Sequence, residues 1–241
     1  MRRKGCKMLT MTHDETQSLL AGIGLFQGLT PEQLVRVGRS VRRRAFAEGT
    51  NIFTTEQPGE ALYFILSGKV KVYIEQRDGT DVTLSILGRG DTFGEMSMFD
   101  DSGRSASALT IEDSVLLWMD RQAFQECLAE VPPLWHNLVR ILSARVRFAD
   151  EHIQALARLD VYGRVARQLL NFAERYGQPD ADGSVFIPLK LSQGDLADLV
   201  GASRKRVNQV IVAFKSQGLI AVNEDGRFSL LDRGALERFF R

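Results

Sequence analysis

The stretch from Leu134 to Leu159 constrains the fold of this chain more than any other. It follows Pro132-Pro133 and contains neither proline nor glycine, so it predicts one uninterrupted helix of about 26 residues. Such a helix is long for a globular protein and extends beyond a small β-barrel. We therefore expect the helix to connect domains and to have a partner along its length.

Apolar side chains recur along this helix at steps of four and three residues, the spacing of a seam that packs against a second helix. They are Leu138, Leu142, Val146, Ala149, Ile153 and Leu156. We predict that they form the interface of a homodimer. The alternative is that the stripe packs, in part or whole, on the chain's own β domain.

Short strands separated by turn residues are predicted from Arg44 to about Met119. The turn signals are Pro58-Gly59-Glu60, Ser67-Gly68, Asp78-Gly79 and Gly88-Arg89-Gly90-Asp91. This spacing is typical of a β-sandwich or barrel. Ahead of it, Thr30-Pro31-Glu32 predicts the start of a short helix that runs to about Val41, and the polar, basic residues 1–21 predict a flexible tail.

One loop of this β region combines backbone donors, a carboxylate and a cation: Phe93-Gly94-Glu95-Met96-Ser97, then Arg104-Ser105-Ala106. Gly94 allows close approach of a ligand to the backbone, and the first amides of a helical turn lack intrahelical partners. Arg104 can donate two parallel hydrogen bonds to phosphate oxygens, and Glu95 can accept from a ribose hydroxyl. The pattern predicts a pocket for a cyclic phosphate; the alternative is a turn glycine beside a surface ion pair.

The segment from Leu191 to Val210 has the layout of a helix-turn-helix, in which Ser192 and Ser203 are N-caps and Gly201 forms the turn. The residue pattern of the second helix predicts that its outward face reads bases in the major groove. The predicted base-reading residues are Arg204, Lys205, Asn208 and Gln209.

Other polar residues of this region are better suited to phosphates, which position a protein on DNA without reading its sequence. They are Arg206, Lys215 and the capping pair Ser192-Gln193, and Ser203 and Arg227 complete the predicted DNA surface. The stretch Asn223–Arg227 predicts the tip of a wing hairpin. A solvated basic helix with no DNA role is the alternative.

Gly94-Glu95, the spacer and Arg104-Ser105-Ala106 resemble the phosphate-binding cassette of the CRP/FNR family of bacterial transcription regulators, in its cyclic-nucleotide-binding branch. Leu159-Asp160-Val161 with Gly163-Arg164 is similar to the domain junction of that family. The resemblance implies an α+β fold. Its parts would be a tail at 1–21, a jelly-roll-like cyclic-nucleotide-binding β-roll at 22–132, a dimerisation helix at 133–159 and a winged helix-turn-helix domain at 160–241.

The resemblance also implies a function: an allosteric homodimer that binds palindromic DNA when a cyclic nucleotide occupies the β-roll, with RNA polymerase as a further partner. Alignment through the junction places Ala149-Asp150 where cAMP-responsive members supply a Thr-Ser pair to the base. Because Asp150 can accept from guanine, cGMP stays open beside cAMP, which family frequency favours. Another ligand such as cyclic di-GMP, or ligand-independent DNA binding, is the alternative.

The recognition helix departs from the best-known family members, which carry a Glu and a later Arg where this chain has Lys205 and Gln209. We therefore expect a different operator.

The formal net charge of +1 hides a local basic patch, since no acidic residue lies between Asp198 and Glu224.

Several function classes are not supported by the sequence. Cys6 and Cys127 have no metal-ligand spacing, and no histidine lies between His13 and His136, so we expect no metal, haem or iron–sulfur cluster. We find no nucleophile elbow, P-loop or paired catalytic carboxylates, so we expect no enzyme. Without a signal-peptide core or a span of ~18 apolar residues, we expect a cytoplasmic protein with no membrane partner.

Overall fold

A computed structural model describes residues 13–76, 81–99 and 103–240. The chain forms two compact units, which are divided inside one long helix between Val146 and Arg147; residues Asp81–Thr83 group with the second unit. The predicted Asp78-Gly79 turn and the basic start of the chain lie outside the described residues. The domain boundaries predicted at residues 133 and 160 stay a prediction.

Two short helices begin the first unit, α1 (His13–Ala21) and α2 (Pro31–Gly38). The tail predicted as far as residue 21 is therefore wrong from His13 onward, because Leu20 is fully buried in an apolar core that stabilises α1. At the start of α2, Thr30 and Gln33 form the reciprocal bonds of a capping box. This confirms the predicted start, although α2 ends before Val41.

Eight strands follow among the described residues between α2 and residue 120. They are β1 (Arg42–Phe46), β2 (Asn51–Phe53), β3 (Ala61–Ser67), β4 (Val70–Glu75), β5 (Asp81–Leu87), β6 (Thr92–Phe93), β7 (Ser107–Thr110) and β8 (Ser114–Asp120). They form two four-stranded sheets, one in the order β1-β8-β3-β6 and the other in the order β2-β7-β4-β5. The predicted two-sheet β domain is confirmed.

One apolar cluster joins the strands of both sheets and contains Phe53 from β2, Ile65 from β3 and Phe93 from β6. The Tyr63 and Phe93 rings stack with centroids 5.3 Å apart. A second cluster packs the helices against the strands and includes Phe26 and Phe64, whose ring centroids are 4.8 Å apart. The loop between β6 and β7 therefore extends from a well-packed β domain.

Two further helices follow β8, namely α3 (Arg121–Glu130) and α4 (Pro133–Arg158). The predicted long helix is thus confirmed to within one residue at each end. Its first turns are anchored in the first unit: Leu134 and Leu138 are buried in the helix-side cluster. The buried Asn137 side chain donates to the backbone oxygens of Leu25 at 2.9 Å and Gln27 at 2.8 Å.

The second unit holds the remaining elements. They are α5 (Val161–Tyr176), β9 (Gln178–Pro179), β10 (Val185–Ile187), α6 (Gln193–Leu199), α7 (Arg204–Ser216), β11 (Ile220–Val222), β12 (Phe228–Leu230) and α8 (Arg233–Glu237). The strands pair in the order β11-β12-β10-β9. Asp160 caps α5 by accepting from Gly163 N at 2.9 Å. The predicted sequence of a β domain, a long helix and a helix-turn-helix domain is confirmed.

Candidate ligand-binding and nucleic-acid-binding sites

The predicted cassette occupies the connection between β6 and β7, with residues 100–102 outside the described part. Phe93 is buried at the end of β6, and Met96–Met98 forms a 3₁₀ turn. Gly94 has a φ of 82°, a conformation that favours glycine. A Cβ there would lie 2.7 Å from Arg104 Nη1 and 3.1 Å from Ala61 O. The position therefore excludes a side chain on two grounds, backbone strain and contact.

Arg104 is buried, and its guanidinium is turned into the protein. Nη1 donates to Gly94 O at 3.2 Å and to Ser97 Oγ at 3.0 Å, and Nη2 donates to Ala61 O at 2.8 Å. The guanidinium carbon stands 3.9 Å from the centroid of the Phe53 ring. Burial is the main cause that lowers the pKa of Arg104 from its ordinary value. The chain's own acceptors thus occupy both terminal nitrogens, and Nε is buried without a partner.

Glu95 is buried to 1% exposure beside the same loop. Its Oε1 forms an ion pair with Arg145 Nη1, and Arg145 Nη2 donates to Thr92 O. The second carboxylate oxygen, Oε2, is buried with no hydrogen-bond partner. Because an unsatisfied buried acceptor is costly, this oxygen is suited to a donor from a ligand. The unpartnered Oε2 meets the requirement of a ribose hydroxyl, so the residues fit a cyclic nucleotide.

Arg145 was missed by the sequence analysis. It belongs to α4, 50 residues from Glu95 in sequence, and no short motif connects the two positions. Only packing of α4 on the first unit brings them together. Its one sequence signal is a basic residue beside the apolar stripe, between Leu142 and Val146.

The other cassette residues divide by exposure. Ser97 and Ala106 are buried, and Ser97 Oγ donates to Gly94 O at 3.2 Å. Met96 is 52% exposed, and Ser105 is exposed with its hydroxyl 3.6 Å from Met96 Sδ. Met96 and Ser105 are therefore the members of the run that solvent reaches most readily.

The helix-turn-helix consists of α6 and α7 with the turn at Gly201, whose φ is 58°. Both predicted N-caps are present: Ser192 Oγ accepts from Asp195 N at 3.0 Å, and Ser203 Oγ accepts from Arg206 N at 3.3 Å. Apolar side chains on the inner face of α7, such as Val207 and Val210, are buried. These local signals explain why the sequence predicts this element well.

The outer face of α7 is exposed and mostly polar, with Val212, 58% exposed, as its apolar member. Its exposed polar side chains are Arg204, Lys205, Arg206, Asn208, Gln209, Lys215 and Ser216. Two hydrogen bonds order part of it: Gln193 Nε2 donates to Asn208 Oδ1 at 3.1 Å, and Arg206 Nη1 donates to Gln209 Oε1 at 3.2 Å. This face has the shape and charge of a major-groove reader.

The predicted wing tip connects β11 to β12. Asn223 organises it, because its backbone N–H donates to Arg227 O at 3.0 Å and its Oδ1 accepts from Arg227 N at 2.8 Å. The Arg227 guanidinium is half-buried and pairs with Asp225 at 2.8 Å. Arg227 therefore lies at the wing, as predicted, but its guanidinium is already paired with the neighbouring carboxylate of Asp225.

Comparison with known proteins agrees with this geometry. The model of the cyclic nucleotide-binding domain matches residues 43–131, and that of the Crp-like helix-turn-helix domain matches residues 163–239. The "CRP-like cAMP-activated global transcriptional regulator" of Mycobacterium tuberculosis is 38% identical to this chain, over 84% of this chain and 90% of that protein. The "Cyclic AMP receptor protein" of Thermus thermophilus is 35% identical, over 83% of this chain and 89% of that protein.

The chain belongs to the CRP/FNR family of bacterial transcription regulators. It is a cyclic-nucleotide-binding transcription regulator with a DNA-binding helix-turn-helix domain. The relatives are transcription regulators rather than enzymes, in agreement with the expectation from the sequence. Among solved structures, the c-di-GMP responsive global regulator CLP of Xanthomonas campestris shares the fold, with a TM-score of 0.71 at 24% identity over 84% of this chain and 100% of that chain.

The stripe predicted for dimerisation of this CRP/FNR protein is only partly exposed. Leu138 is 1% exposed and Leu142 packs against the helix-side cluster of the first unit, so the interface role predicted for Leu138 is wrong: the side chain fills the chain's own core. Val146, Ile153 and Leu156 are 61%, 63% and 42% exposed. Ala149 is exposed as well.

The sequence analysis missed Val139, which is 59% exposed and precedes Val146 by one heptad. It was missed because the step from Leu138 to Leu142 fitted the same spacing, and periodicity alone does not tell which of two neighbouring leucine or valine positions faces the core. The exposed apolar stripe of α4 is therefore Val139, Val146, Ala149, Ile153 and Leu156.

Asp150 and Ala149, predicted to contact the base of the ligand, are exposed on the part of α4 that belongs to the second unit. Their contact with a ligand stays a prediction. In residues 13–76, 81–99 and 103–240, no group of three histidine, cysteine, aspartate or glutamate side chains could hold a metal ion. No helix within the described ranges combines the length and apolarity of a membrane span.

Gly94 provides a test of the cassette geometry on stability. We expect Gly94→Ala to lower the free energy of unfolding by about 1–3 kcal/mol, because the new methyl group meets both a left-handed backbone and Arg104 Nη1. Gly49→Ala is the matched control, since Gly49 has a φ of 74° but nothing within 4 Å of its added Cβ. Urea denaturation of both variants measures the difference, and equal losses would show that the contact with Arg104 costs nothing.

Proposed function

We propose that this protein is a homodimeric, ligand-gated regulator that binds a palindromic DNA site when a cyclic nucleotide, with cAMP favoured over cGMP, occupies the β-roll. The observation that carries the proposal is the loop with a buried, half-satisfied Glu95 beside a buried Arg104. The names of two relatives, a cAMP-activated regulator and a cyclic AMP receptor protein, support cAMP. A regulator of chromosomal genes works in the bacterial cytoplasm, and RNA polymerase is the further partner that we propose from family membership.

When bound, a cyclic nucleotide brings one anionic phosphate, a ribose hydroxyl and a base. In this proposal Arg104 binds the phosphate, and Glu95 accepts from the hydroxyl through its unpartnered Oε2. To do so, Arg104 exchanges some of its bonds to Gly94 O, Ser97 Oγ and Ala61 O for bonds to phosphate oxygens. That exchange makes the bound and free arrangements of the loop different, which is what a switch requires.

Gating needs a ligand that stabilises the DNA-binding state more than the other state. Arg145 offers the connection, since it extends from α4 and pairs with Glu95. A ligand that occupies the second oxygen of Glu95 alters the charge environment of this pair. The same helix carries the exposed stripe from Val139 to Leu156, so we propose that ligand binding and dimer geometry are coupled along α4.

The ligand is tested by calorimetric titration of the full chain with cAMP, cGMP and cyclic di-GMP. We expect micromolar or tighter binding of cAMP or cGMP, and we expect Arg104→Ala to weaken it by about 1.5–3 kcal/mol because a charge-assisted bond is lost. Arg89→Ala, at an exposed arginine of the same unit, is the control. Because Arg104 is buried, Glu95→Gln is a second variant, and a thermal melt checks that each variant is folded.

Three outcomes of this titration differ in meaning. Binding of cAMP or cGMP that both cassette variants weaken supports the proposal. Binding of cyclic di-GMP alone would show that the protein senses cyclic di-GMP and that the proposed ligand is wrong. No binding of any of the three would contradict a cyclic-nucleotide gate in this protein.

Base preference is tested at Asp150, whose carboxylate can accept two bonds from guanine but from adenine only one. We expect Asp150→Ser to shift the ratio of cAMP to cGMP affinity towards cAMP, with total binding retained. Glu151→Ser, at the next exposed carboxylate of α4, is the control. An unchanged ratio in Asp150→Ser would exclude this residue from the base.

The dimer is tested at Ile153, which is 63% exposed on the stripe. We expect Ile153→Glu to convert dimer to monomer at micromolar protein, because two carboxylates would be buried against each other. Gln154→Glu adds the same charge to an exposed residue outside the stripe and is expected to remain dimeric. Sedimentation velocity measures both, and a dimeric Ile153→Glu would move the interface elsewhere.

A further inference from the structure

The recognition helix α7 has a chemically one-sided outer surface. Arg204, Lys205 and Arg206 are exposed side chains with donors only. Asn208 and Gln209 are exposed on the same helix and are amides, each with an acceptor oxygen and an N–H₂ donor group. What α7 can read therefore depends on which end of each amide is free.

In both amides the acceptor end already has a protein partner. Asn208 Oδ1 accepts from Gln193 Nε2 at 3.1 Å, and Gln209 Oε1 accepts from Arg206 Nη1 at 3.2 Å. The two bonds arise independently, one from the first residue of α6 and the other from the preceding turn of α7. Each leaves the amide nitrogen, with its two hydrogens, available to a ligand.

We propose that α7 offers a donor-only surface to the major groove, in which both amide oxygens stay with their protein partners. This surface reads guanine N7 and O6, together with other major-groove acceptors, rather than adenine in a bidentate way. An Asn or Gln reads adenine with its oxygen on the N6 amino group and its nitrogen on N7, whereas donors alone match the two acceptors of guanine. This inference rests on the proposed operator binding.

Gln193 and Arg206 thereby gain a role beyond phosphate contact. Each is a positioning residue, because it orients the amide of a base-reading neighbour. Gln193 is the first residue of α6, at the helix end that approaches the DNA backbone in this motif. A phosphate contact from α6 and a base contact from α7 would then be linked through one hydrogen bond.

The experiment begins with selection of DNA from a random pool by the full chain, without ligand and with saturating cAMP or cGMP. In the selected site each guanine is then replaced by 7-deazaguanine, which lacks the N7 acceptor, or by inosine, which keeps N7 and O6. We expect 7-deazaguanine to weaken binding on the order of tenfold at the contacted positions and inosine to leave it unchanged.

Variants test the orientation of the amides. We expect Asn208→Asp and Gln209→Glu, which replace donors by acceptors, to shift selection at their positions towards bases with an exposed amino group, cytosine or adenine. Gln193→Ala and Arg206→Ala free an amide oxygen and are expected to admit adenine at one position each. Lys215→Ala is the control: it should lower the affinity for all sequences and leave base preference unchanged.

The possible failures are distinguishable. If no sequence is enriched in any ligand state, operator binding falls, and the inference falls with it. If a site is enriched but 7-deazaguanine has no effect at any guanine, or if wild-type protein selects adenine at the Asn208 and Gln209 positions, the donor-only surface is wrong while the regulator stands.

Discussion

The candidate ligand site of this protein depends on two opposite charges that are buried in one loop. Arg104 and Glu95 lie within the connection from β6 to β7, and both are withdrawn from solvent. Burial of a charge is costly unless it is hydrogen-bonded or paired. Three acceptors and the Phe53 ring hold Arg104, and Arg145 holds one oxygen of Glu95. The loop is therefore stabilised by the chain's own groups, yet incompletely, since Nε of Arg104 and Oε2 of Glu95 have no partners.

This incomplete satisfaction is what the proposed ligand response requires of the loop. A fully satisfied pocket would gain little from a ligand, and an empty one without internal partners would not hold two buried charges. Here the backbone oxygens of Gly94 and Ala61 substitute for an anion at Arg104. They are weaker acceptors than a phosphate, because a bond between two ionised groups is stronger than one with a neutral carbonyl. In the proposed function, this difference contributes to the free energy of gating.

Much of the architecture was predictable because its signals are local. The long helix follows from the absence of proline and glycine, α2 from Thr30-Pro31, and the helix-turn-helix from two serine caps and a glycine turn. The errors arose where a distant part of the chain decides. Helix α1 depends on a core that buries Leu20, and Leu138 faces that same core, whereas the spacing of the stripe treats it like Val146.

The sequence by itself determined the family, the order of the domains and the residue types of both sites, because cassette, caps and basic face are short motifs whose chemistry is legible at fixed spacing. Only the tertiary structure decided how those residues are used. It placed Arg145 against Glu95 across 50 residues of sequence, turned Arg104 inward and divided the stripe of α4 between core and surface. It also oriented the amides of Asn208 and Gln209. The physical reason is that burial and hydrogen-bond partners are properties of packing, and spacing along a chain does not specify them.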